Sequence, residues 1–167
     1  MIGKETAEKG MALGLDVIAY DPYAEEELFS SHEVRRVEFD ELLISSDYLS
    51  LHAPATEETH HILNEDTFKL MKSTSYLINT SRGALVDEEA LLTAVQMGQI
   101  AGAALDVREQ EPPAADDPLM KEERIVMTPH LGWCSIEAGK NLRVRATQAI
   151  IDVLQGRAPM NPVNDPT

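Results

Sequence analysis

The chain has 167 residues, of which 43% are hydrophobic and 5% aromatic. This length and composition suit one hydrophobic core of ordinary size, and the chain is too short for two domains that each have such a core. Its formal charge of −15, from 29 acidic against 14 basic residues, disfavours direct binding to nucleic acid or to an anionic membrane, because both require clustered Lys and Arg. No apolar run approaches the ~20 residues that span a bilayer, no signal pattern opens the chain, and the single Cys134 cannot form an internal disulfide. We therefore expect a cytoplasmic protein whose partners are small molecules or proteins.

Strand and helix patterns alternate along the chain. Residues 4–13 predict a helix with a left-handed cap at Gly14, and residues 17–20 predict a buried strand that stops at Asp21 and Pro22. Because the strands are apolar rather than two-faced, we expect an α/β fold, a doubly wound parallel sheet covered by helices on both sides. The other predicted elements are helices at 39–44, 67–71, 90–97 and 135–154, strands at 48–51, 76–78, 101–105 and 125–127, and an extended tail at 158–167.

Three polar side chains follow three different predicted strands. Arg82 comes after strand 76–78, Glu111 after strand 101–105 and His130 after strand 125–127. Since α/β sheets bind ligands outside the carboxyl ends of their strands, such a set could bind a carboxylate and move a proton. Taken singly, Arg82 is more typical of a solvated loop cation, Glu111 of a solubilising acid and His130 of a surface or core histidine.

The first fifty residues contain half of a nucleotide-binding pattern. Gly3 before the first helix and Asp21 after the next strand are spaced like the third glycine and the ribose-binding acid of a dinucleotide site. The first strand and the first two glycines of that pattern would lie before Met1. An ordinary helix cap and an ordinary turn aspartate are the alternative interpretation.

Longer motifs connect these separate features. The stretches are Val17–Pro22, Leu51–Pro54 with Thr59, Ile78–Asp87, Gly102–Val107 with Glu111 and Pro112, and Thr128–His130. Through these stretches the chain resembles, from Gly3 nearly to Asn164, the D-isomer-specific 2-hydroxyacid dehydrogenases. Within that family, residues 110–113, residues 116–119 and Trp133 are similar to the branch of the C-terminal binding protein corepressors and their phosphoglycerate dehydrogenase-like enzyme relatives.

The resemblance implies roles for the three strand-end residues. Arg82 would bind the substrate carboxylate with its planar fork and orient the carbonyl. His130 would give a proton to the carbonyl oxygen during reduction and take it back during oxidation. Glu111 would hydrogen-bond the other imidazole nitrogen and favour the charged ring.

The resemblance also implies NAD as the cofactor. Asp106 would hold the nicotinamide amide, and the carboxylate of Asp21 would favour NAD over NADP because it repels a 2′-phosphate. The other residues expected to contact the cofactor are Gly3, His52, Pro54, Thr59, Thr80, Ser81 and Gly132.

The domain organisation expected from the resemblance is incomplete. Residues 1–156 would form a Rossmann-like dinucleotide-binding domain without its first strand and glycine-rich turn, and residues 157–167 would return to an absent substrate domain. In the usual strand order that first strand is central, so its loss leaves two strands with an unpaired edge unless they close up or another segment replaces it. A gene model begun at an internal Met1, a cut fragment and a short product that pairs with something else all remain open.

We expect the intact protein to be an NAD-dependent oxidoreductase that interconverts a D-2-hydroxy acid and its 2-keto acid, as a homodimer. The fragment alone is expected to bind NAD weakly and to be inactive. An NAD(H)-sensing, corepressor-like interaction protein is the alternative function.

Two other features of the sequence are not expected to carry chemistry. His60 and His61 are adjacent, so on a regular strand or helix their side chains diverge, and no nearby Cys or His gives a metal-ligand spacing. No metal site is predicted. Cys134 has no catalytic-cysteine pattern around it and is expected to be a small, partly buried residue.

Overall fold

The computed structural model describes residues 2–163 and divides the chain into two compact units, residues 1–130 and 131–167. The last four residues of the predicted tail, 164–167, lie outside the described residues. The domain boundary after residue 156 stays a prediction.

The first unit contains six short parallel strands in two separate sheets. β1 (Ile18–Ala19) pairs with β2 (Arg35–Arg36), and β3 (Tyr48–Leu51), β4 (Tyr76–Asn79), β5 (Gly102–Leu105) and β6 (Ile125–Met127) follow one another in spatial order. In the larger sheet Ser50 lies opposite Ile78, Ile78 opposite Ala104, and Ala104 opposite Val126. The carboxyl ends of these four strands therefore meet at one edge.

The break between the two sheets falls between β1 and β3. The doubly wound order places a central strand at that point, and among residues 2–163 no strand fills it. The expectation that the neighbouring strands would lack a partner on one edge is confirmed, since β1 and β3 do not pair with each other. The strand β2 was not predicted, because two exposed arginines give no apolar pattern.

The helices begin and end at residues whose side chains or backbone explain the boundary. The helix predicted at 67–71 instead spans Glu65–Phe68, because the Asn64 side chain accepts the N–H groups of Asp66 and Thr67 and so starts the helix earlier. Gly14 and Gly98 have the positive φ of left-handed caps. The helices of the first unit are α1 (Ile2–Ala12), α2 (Glu26–Ser30), α3 (Phe39–Ser45), α4 (Glu65–Phe68) and α5 (Glu88–Gln96), with 3₁₀ turns at Gly83–Leu85 and Pro118–Lys121.

The core of the first unit lies around the larger sheet. Parallel strands need apolar cover on both faces, and the strand residues Leu77, Ala103 and Leu105 are buried. Helices α4 and α5 pack together beside it. The side chains that are completely buried in this core include Leu43, Leu63, Phe68, Leu77, Leu85, Leu91, Val95 and Ile100.

The second unit is mainly one helix, α6 (Ile136–Leu154). Ser135 caps it by accepting the N–H of Ala138 at 3.0 Å, and Gly156 follows its last turn with a positive φ. Cys134 is exposed, so the expectation that it would be partly buried is wrong: it lies in the turn before α6, outside any core. Within residues 2–163 no helix is long and apolar enough to cross a membrane.

Candidate functional site

The loops after β5 and β6 bring Glu111 and His130 into contact. Oε2 of Glu111 lies 2.7 Å from Nδ1 of His130, and the two side chains are 38% and 44% exposed. A carboxylate can only accept, so Nδ1 carries the hydrogen of this bond and Nε2 is the nitrogen that can exchange a proton with a ligand. The pair is therefore both oriented and reachable from solvent.

The backbone of His130 is held at the end of the sheet. Its N–H donates to the carbonyl oxygen of Asp106 at 2.9 Å, and its φ of 53° lies in the left-handed region. That region costs a residue with a Cβ roughly 1–2 kcal/mol, so the surrounding contacts have to maintain it. The hydrogen bond to Asp106 and the contact with Glu111 are two contacts that hold His130 in this conformation.

Glu111 is fixed by a second hydrogen bond. The backbone N–H of Arg108 donates to Oε1 at 2.9 Å. The hydrogen bond with His130 and then the one from Arg108 lower the pKa of the Glu111 carboxyl below its usual value. Glu111 is thus a carboxylate at neutral pH, as the proposed partner of a protonatable histidine must be.

Arg108 itself is buried in an ion-pair network that the sequence analysis missed. Its guanidinium donates to both carboxylate oxygens of Glu88 at 2.8 Å and to Oδ2 of Asp117 at 2.6 Å. The hydrogen bond with Glu88, ahead of the one with Asp117, raises the pKa of Arg108 above its already high value. The network connects the loop that carries Glu111 to the start of α5 and to the second 3₁₀ turn. Arg108 and Glu88 therefore help to fix the position of that loop.

Arg82 lies in the turn after β4, beside the same loop. The buried Asn79 shapes this turn: its Oδ1 accepts the N–H of Ser81 at 3.0 Å and its Nδ2 donates to the Arg82 carbonyl at 2.9 Å. A Cβ on Gly83 would lie 2.0 Å from the carbonyl carbon and oxygen of Arg108, so only glycine allows the two loops to approach this closely. The exposed Arg82 is thereby held next to the loop that carries Glu111.

Asp106 lies between the strand ends of β5 and β6. It is buried, and its Oδ1 accepts the hydroxyl of Thr128 at 2.5 Å, while its backbone carbonyl accepts the N–H of His130. The structure thus brings Asp106 together with His130 and Glu111, and places Arg82 in the turn that packs against the start of the Glu111 loop.

The expected cofactor residues near the amino terminus lie at two places: Gly3 lies against His52, and Asp21 lies in the turn after β1. Gly3 lies in the first turn of α1 rather than before the helix, and a Cβ there would lie 3.3 Å from Cβ of His52. Burial lowers the pKa of His52 below its usual value, and its Nε2 lies 3.0 Å from the Ser50 hydroxyl. Asp21 sits after β1, where its Oδ1 accepts the N–H groups of Tyr23 and Ala24.

Two of the remaining expected cofactor residues have hydrogen bonds to backbone carbonyls, one within its own loop and one to a neighbouring loop. The Thr59 hydroxyl donates to the carbonyl of Pro54 at 2.7 Å, and the Ser81 hydroxyl donates to the carbonyl of Ala53 at 2.6 Å. Thr80 is exposed after β4, and Gly132 lies in an exposed turn of the second unit. Contact of these residues with a cofactor stays a prediction.

The expectation that His60 and His61 diverge is wrong. Their ring centroids are 3.9 Å apart and the rings stack, because His61 has a φ of 49° and belongs to neither a regular strand nor a helix. A left-handed backbone turns the second side chain towards the first.

Comparisons with known proteins support a single family. The family model for the D-isomer specific 2-hydroxyacid dehydrogenase NAD binding domain matches residues 1–132. A D-3-phosphoglycerate dehydrogenase from Archaeoglobus fulgidus is 39% identical over 166 residues, which are 99% of this chain and 32% of that enzyme. A glyoxylate reductase from Thermococcus litoralis is 41% identical over 98% of this chain and 49% of its own length. These relatives are enzymes and lend no support to the corepressor-like alternative.

Solved structures agree with the sequence relatives. A D-lactate dehydrogenase from Treponema pallidum superimposes with a TM-score of 0.88 at 35% identity, over 98% of this chain and 53% of that one. An NAD-complexed D-isomer specific 2-hydroxyacid dehydrogenase from Lactobacillus delbrueckii gives 0.87 at 33% identity, over the same shares. The fold is therefore Rossmann-like, and the chain spans about half the length, or less, of the relatives it matches. It belongs to the D-isomer specific 2-hydroxyacid dehydrogenase family, and residues 1–132 correspond to that family's NAD-binding domain.

Proposed function

We propose that these residues work in an NAD-dependent oxidoreductase that interconverts a D-2-hydroxy acid and its 2-keto acid. The observation that carries the proposal is the 2.7 Å contact between Glu111 and His130 at the strand ends of an NAD-binding fold, with Arg82 in the adjoining loop. That combination offers a proton donor and a carboxylate-binding cation on one edge of the sheet.

His130 supplies the proton. In the reducing direction Nε2 of the protonated ring gives its proton to the carbonyl oxygen of the keto acid. NADH, when bound, would supply the hydride to the carbonyl carbon, and the product would be the hydroxy acid. Glu111 stabilises the positive ring through Nδ1 and keeps Nε2 directed outwards. Arg82 binds the substrate carboxylate in two hydrogen bonds, which presents the carbonyl to His130.

The residues present fit NAD as the hydride carrier. A Cβ on Gly3 would lie 3.3 Å from Cβ of His52, a tight contact that favours glycine at the start of α1, where the dinucleotide-binding pattern uses a glycine for close helix–strand packing. The turn after β1 holds the Asp21 carboxylate at a fixed position, where it would accept the ribose hydroxyls and repel a 2′-phosphate. Asp106, His52, Pro54, Thr59, Thr80, Ser81 and Gly132 complete the proposed cofactor contacts.

The proposal also covers the partners, the cellular location and the oligomeric state of the longer protein. The charge of −15 supports small hydroxy or keto acids, not nucleic acid, as the partners, and the single cysteine supports a reducing, cytoplasmic location. Homodimerisation of the longer protein is part of the proposal and is measured by light scattering.

A chimaera tests this function. The 167 residues replace the aligned part of the Thermococcus litoralis glyoxylate reductase, and NADH oxidation is followed by absorbance with glyoxylate as substrate. We expect turnover, and we expect His130→Gln to lower kcat by roughly 10²–10⁴-fold while NADH binding, measured by calorimetry, is unchanged. The matched control is His32→Gln, at a histidine whose Nε2 lies 3.2 Å from a carboxylate oxygen of Glu8 in α1. We expect this variant to keep full activity.

Two results would contradict the proposal. One is a chimaera that binds NADH and reduces no 2-keto acid. The other is a His130→Gln variant that turns over as fast as its His32→Gln control.

A further inference from the structure

A second cluster of ligand-type side chains lies apart from the Glu111–His130 pair. His60 and His61 stack with ring centroids 3.9 Å apart, and Nε2 of His61 lies 2.5 Å from Oε1 of Glu109. One ligand atom from each of these three side chains lies within 4.8 Å of the other two. Two imidazoles and a carboxylate, from loops 48 residues apart, therefore converge on one point.

We propose that His60, His61 and Glu109 form a binding site for a divalent transition metal, with Zn²⁺ as the best match. Imidazole nitrogen and carboxylate oxygen are ligands that Zn²⁺ accepts at about 2.0–2.2 Å, so tetrahedral ligands lie roughly 3.3 Å apart. The 2.5 Å between Nε2 of His61 and Oε1 of Glu109 is shorter than that value, and the ligand atom of His60 lies within 4.8 Å of both, so side-chain rotation has to bring the three atoms to the tetrahedral spacing. The metal takes the place of the hydrogen that His61 shares with Glu109.

The backbone on both sides of the site is fixed. The N–H of His61 donates to the Ala84 carbonyl at 2.9 Å, and its carbonyl accepts from the Asn64 side chain at 2.9 Å. The N–H of Glu109 donates to Oε1 of Glu88 at 2.9 Å, which ties it to the buried network around Arg108. The ligands are thus placed by the fold, and metal binding requires only the side chains to adjust.

The carboxylate of Asp87 lies near the second ring nitrogen of His61, as carboxylates commonly do at metal-binding histidines. Its Oδ2 lies 4.0 Å from Nδ1 of His61, on the opposite side of the ring from the nitrogen that faces Glu109. A histidine that binds a metal with one nitrogen commonly directs the other towards a carboxylate, which orients the ring and strengthens the ligand. An isolated His61–Glu109 ion pair would not account for the second imidazole, that of His60, beside it.

The site is accessible to an ion from solvent. The side chains of His61 and Glu109 are 31% and 34% exposed, and His60 is exposed as a residue. The net charge of −15 raises the local concentration of cations. Three protein ligands leave one position of a tetrahedral ion for water.

The test is metal titration of the 167-residue chain, without an affinity tag and after dialysis against a chelator. Calorimetry with Zn²⁺ should give one site of micromolar affinity, and Co²⁺ should give the strong visible absorption of a four-coordinate ion. We expect His60→Gln, His61→Gln and Glu109→Gln each to weaken Zn²⁺ binding at least about tenfold and to abolish the Co²⁺ spectrum. Asp87→Asn retains the Oδ1 that caps α5, and we expect it to weaken binding about tenfold through the ring of His61.

Two variants away from the cluster serve as controls. His32→Gln, at a half-buried histidine, and Glu123→Gln, at an exposed glutamate, remove the same chemical groups elsewhere and should leave affinity and spectrum unchanged. Equal Zn²⁺ affinity in every variant would show adventitious binding and overturn the proposal, as would the absence of micromolar binding in the unaltered chain. Circular dichroism of each variant, compared with the unaltered chain, separates loss of the site from loss of the fold.

Discussion

Two loops of the first unit carry the acids proposed for function, and they are held in different ways. The β5 loop (residues 106–112) follows β5 and carries Glu111; the β1 loop (residues 21–25) follows β1 and begins with Asp21. In the β5 loop, Glu111 bonds to a histidine 19 residues away, and the buried Arg108 ties the loop to two further elements. In the β1 loop, the Asp21 carboxylate bonds to the N–H groups of Tyr23 and Ala24.

The difference follows from what each acid is proposed to do. Glu111 has to meet the ring of His130, which belongs to another strand end, so contacts that are distant in sequence must set its position. Asp21 has to present a carboxylate to a diffusing ligand, and a local turn is sufficient for that. Long-range anchoring therefore indicates where two protein groups must work together.

The strongest test of this comparison is to remove the anchor of the β5 loop. Arg108→Met keeps an apolar side chain of similar length but leaves the carboxylates of Glu88 and Asp117, 16% and 15% exposed, without their partner. We expect the free energy of unfolding, measured with urea, to fall by about 3–5 kcal/mol, because breaking a buried ion pair leaves uncompensated charge.

Arg124→Met is the matched control for that variant. Arg124 also pairs with a glutamate, Glu122, but its side chain is 46% exposed and solvent screens the pair, so the loss of unfolding free energy should be much smaller than for Arg108→Met. Equal losses in the two variants would mean that the buried network does not anchor the β5 loop.

This contrast also explains what could be predicted from the sequence. The strands Tyr48–Leu51 and Ile125–Met127 and the cap at Gly14 match the prediction, because apolar runs and glycines are local signals. The three strand-end side chains also follow local signals, and the resemblance then assigns their roles.

The Arg108 network could not be predicted from local signals, because its ion pairs join residues that are 9 and 20 positions apart in the sequence. Among 29 acidic residues, no local pattern indicates which two approach Arg108. The stacking of His60 on His61 was missed for a related reason: a positive φ at a residue with a Cβ depends on tertiary contacts, here the bond from the His61 N–H to Ala84.

The bonds of the Asp21 carboxylate are local, whereas Arg36 donates to the Asp21 backbone carbonyl, so a side-chain change at Asp21 tests the local turn separately. Asp21→Ala removes the acceptor of two backbone N–H groups, and we expect it to lower the free energy of unfolding by about 1 kcal/mol. Asp21→Asn keeps an oxygen at the same position and should lie within about 0.5 kcal/mol of the unaltered chain. A larger loss for Asp21→Asn than for Asp21→Ala, in the same urea titration, would contradict the view that the turn depends on this oxygen.

The smallest expected effect concerns pH and the Glu111–His130 pair. The pKa of Glu111 is lower in the folded chain than its unfolded value of 4.5, first through the hydrogen bond with His130 and then through that with the Arg108 N–H. A depressed pKa contributes stability that is fully present above the unfolded pKa and is lost as the pH falls through the folded pKa. Because both side chains are more than a third exposed, we expect less than about 1 kcal/mol between the unaltered chain and Glu111→Gln at neutral pH.

That difference should shrink as the pH falls below 4.5, whereas Glu123→Gln, which removes a charge from an exposed side chain, should show little difference at any pH. The measurement is urea unfolding of the three chains at neutral and acidic pH. A difference for Glu111→Gln that grows towards acidic pH would mean that the folded chain favours the protonated carboxyl. Glu111 could then not stabilise a positive His130, and the proton transfer proposed for this pair would lose its physical basis.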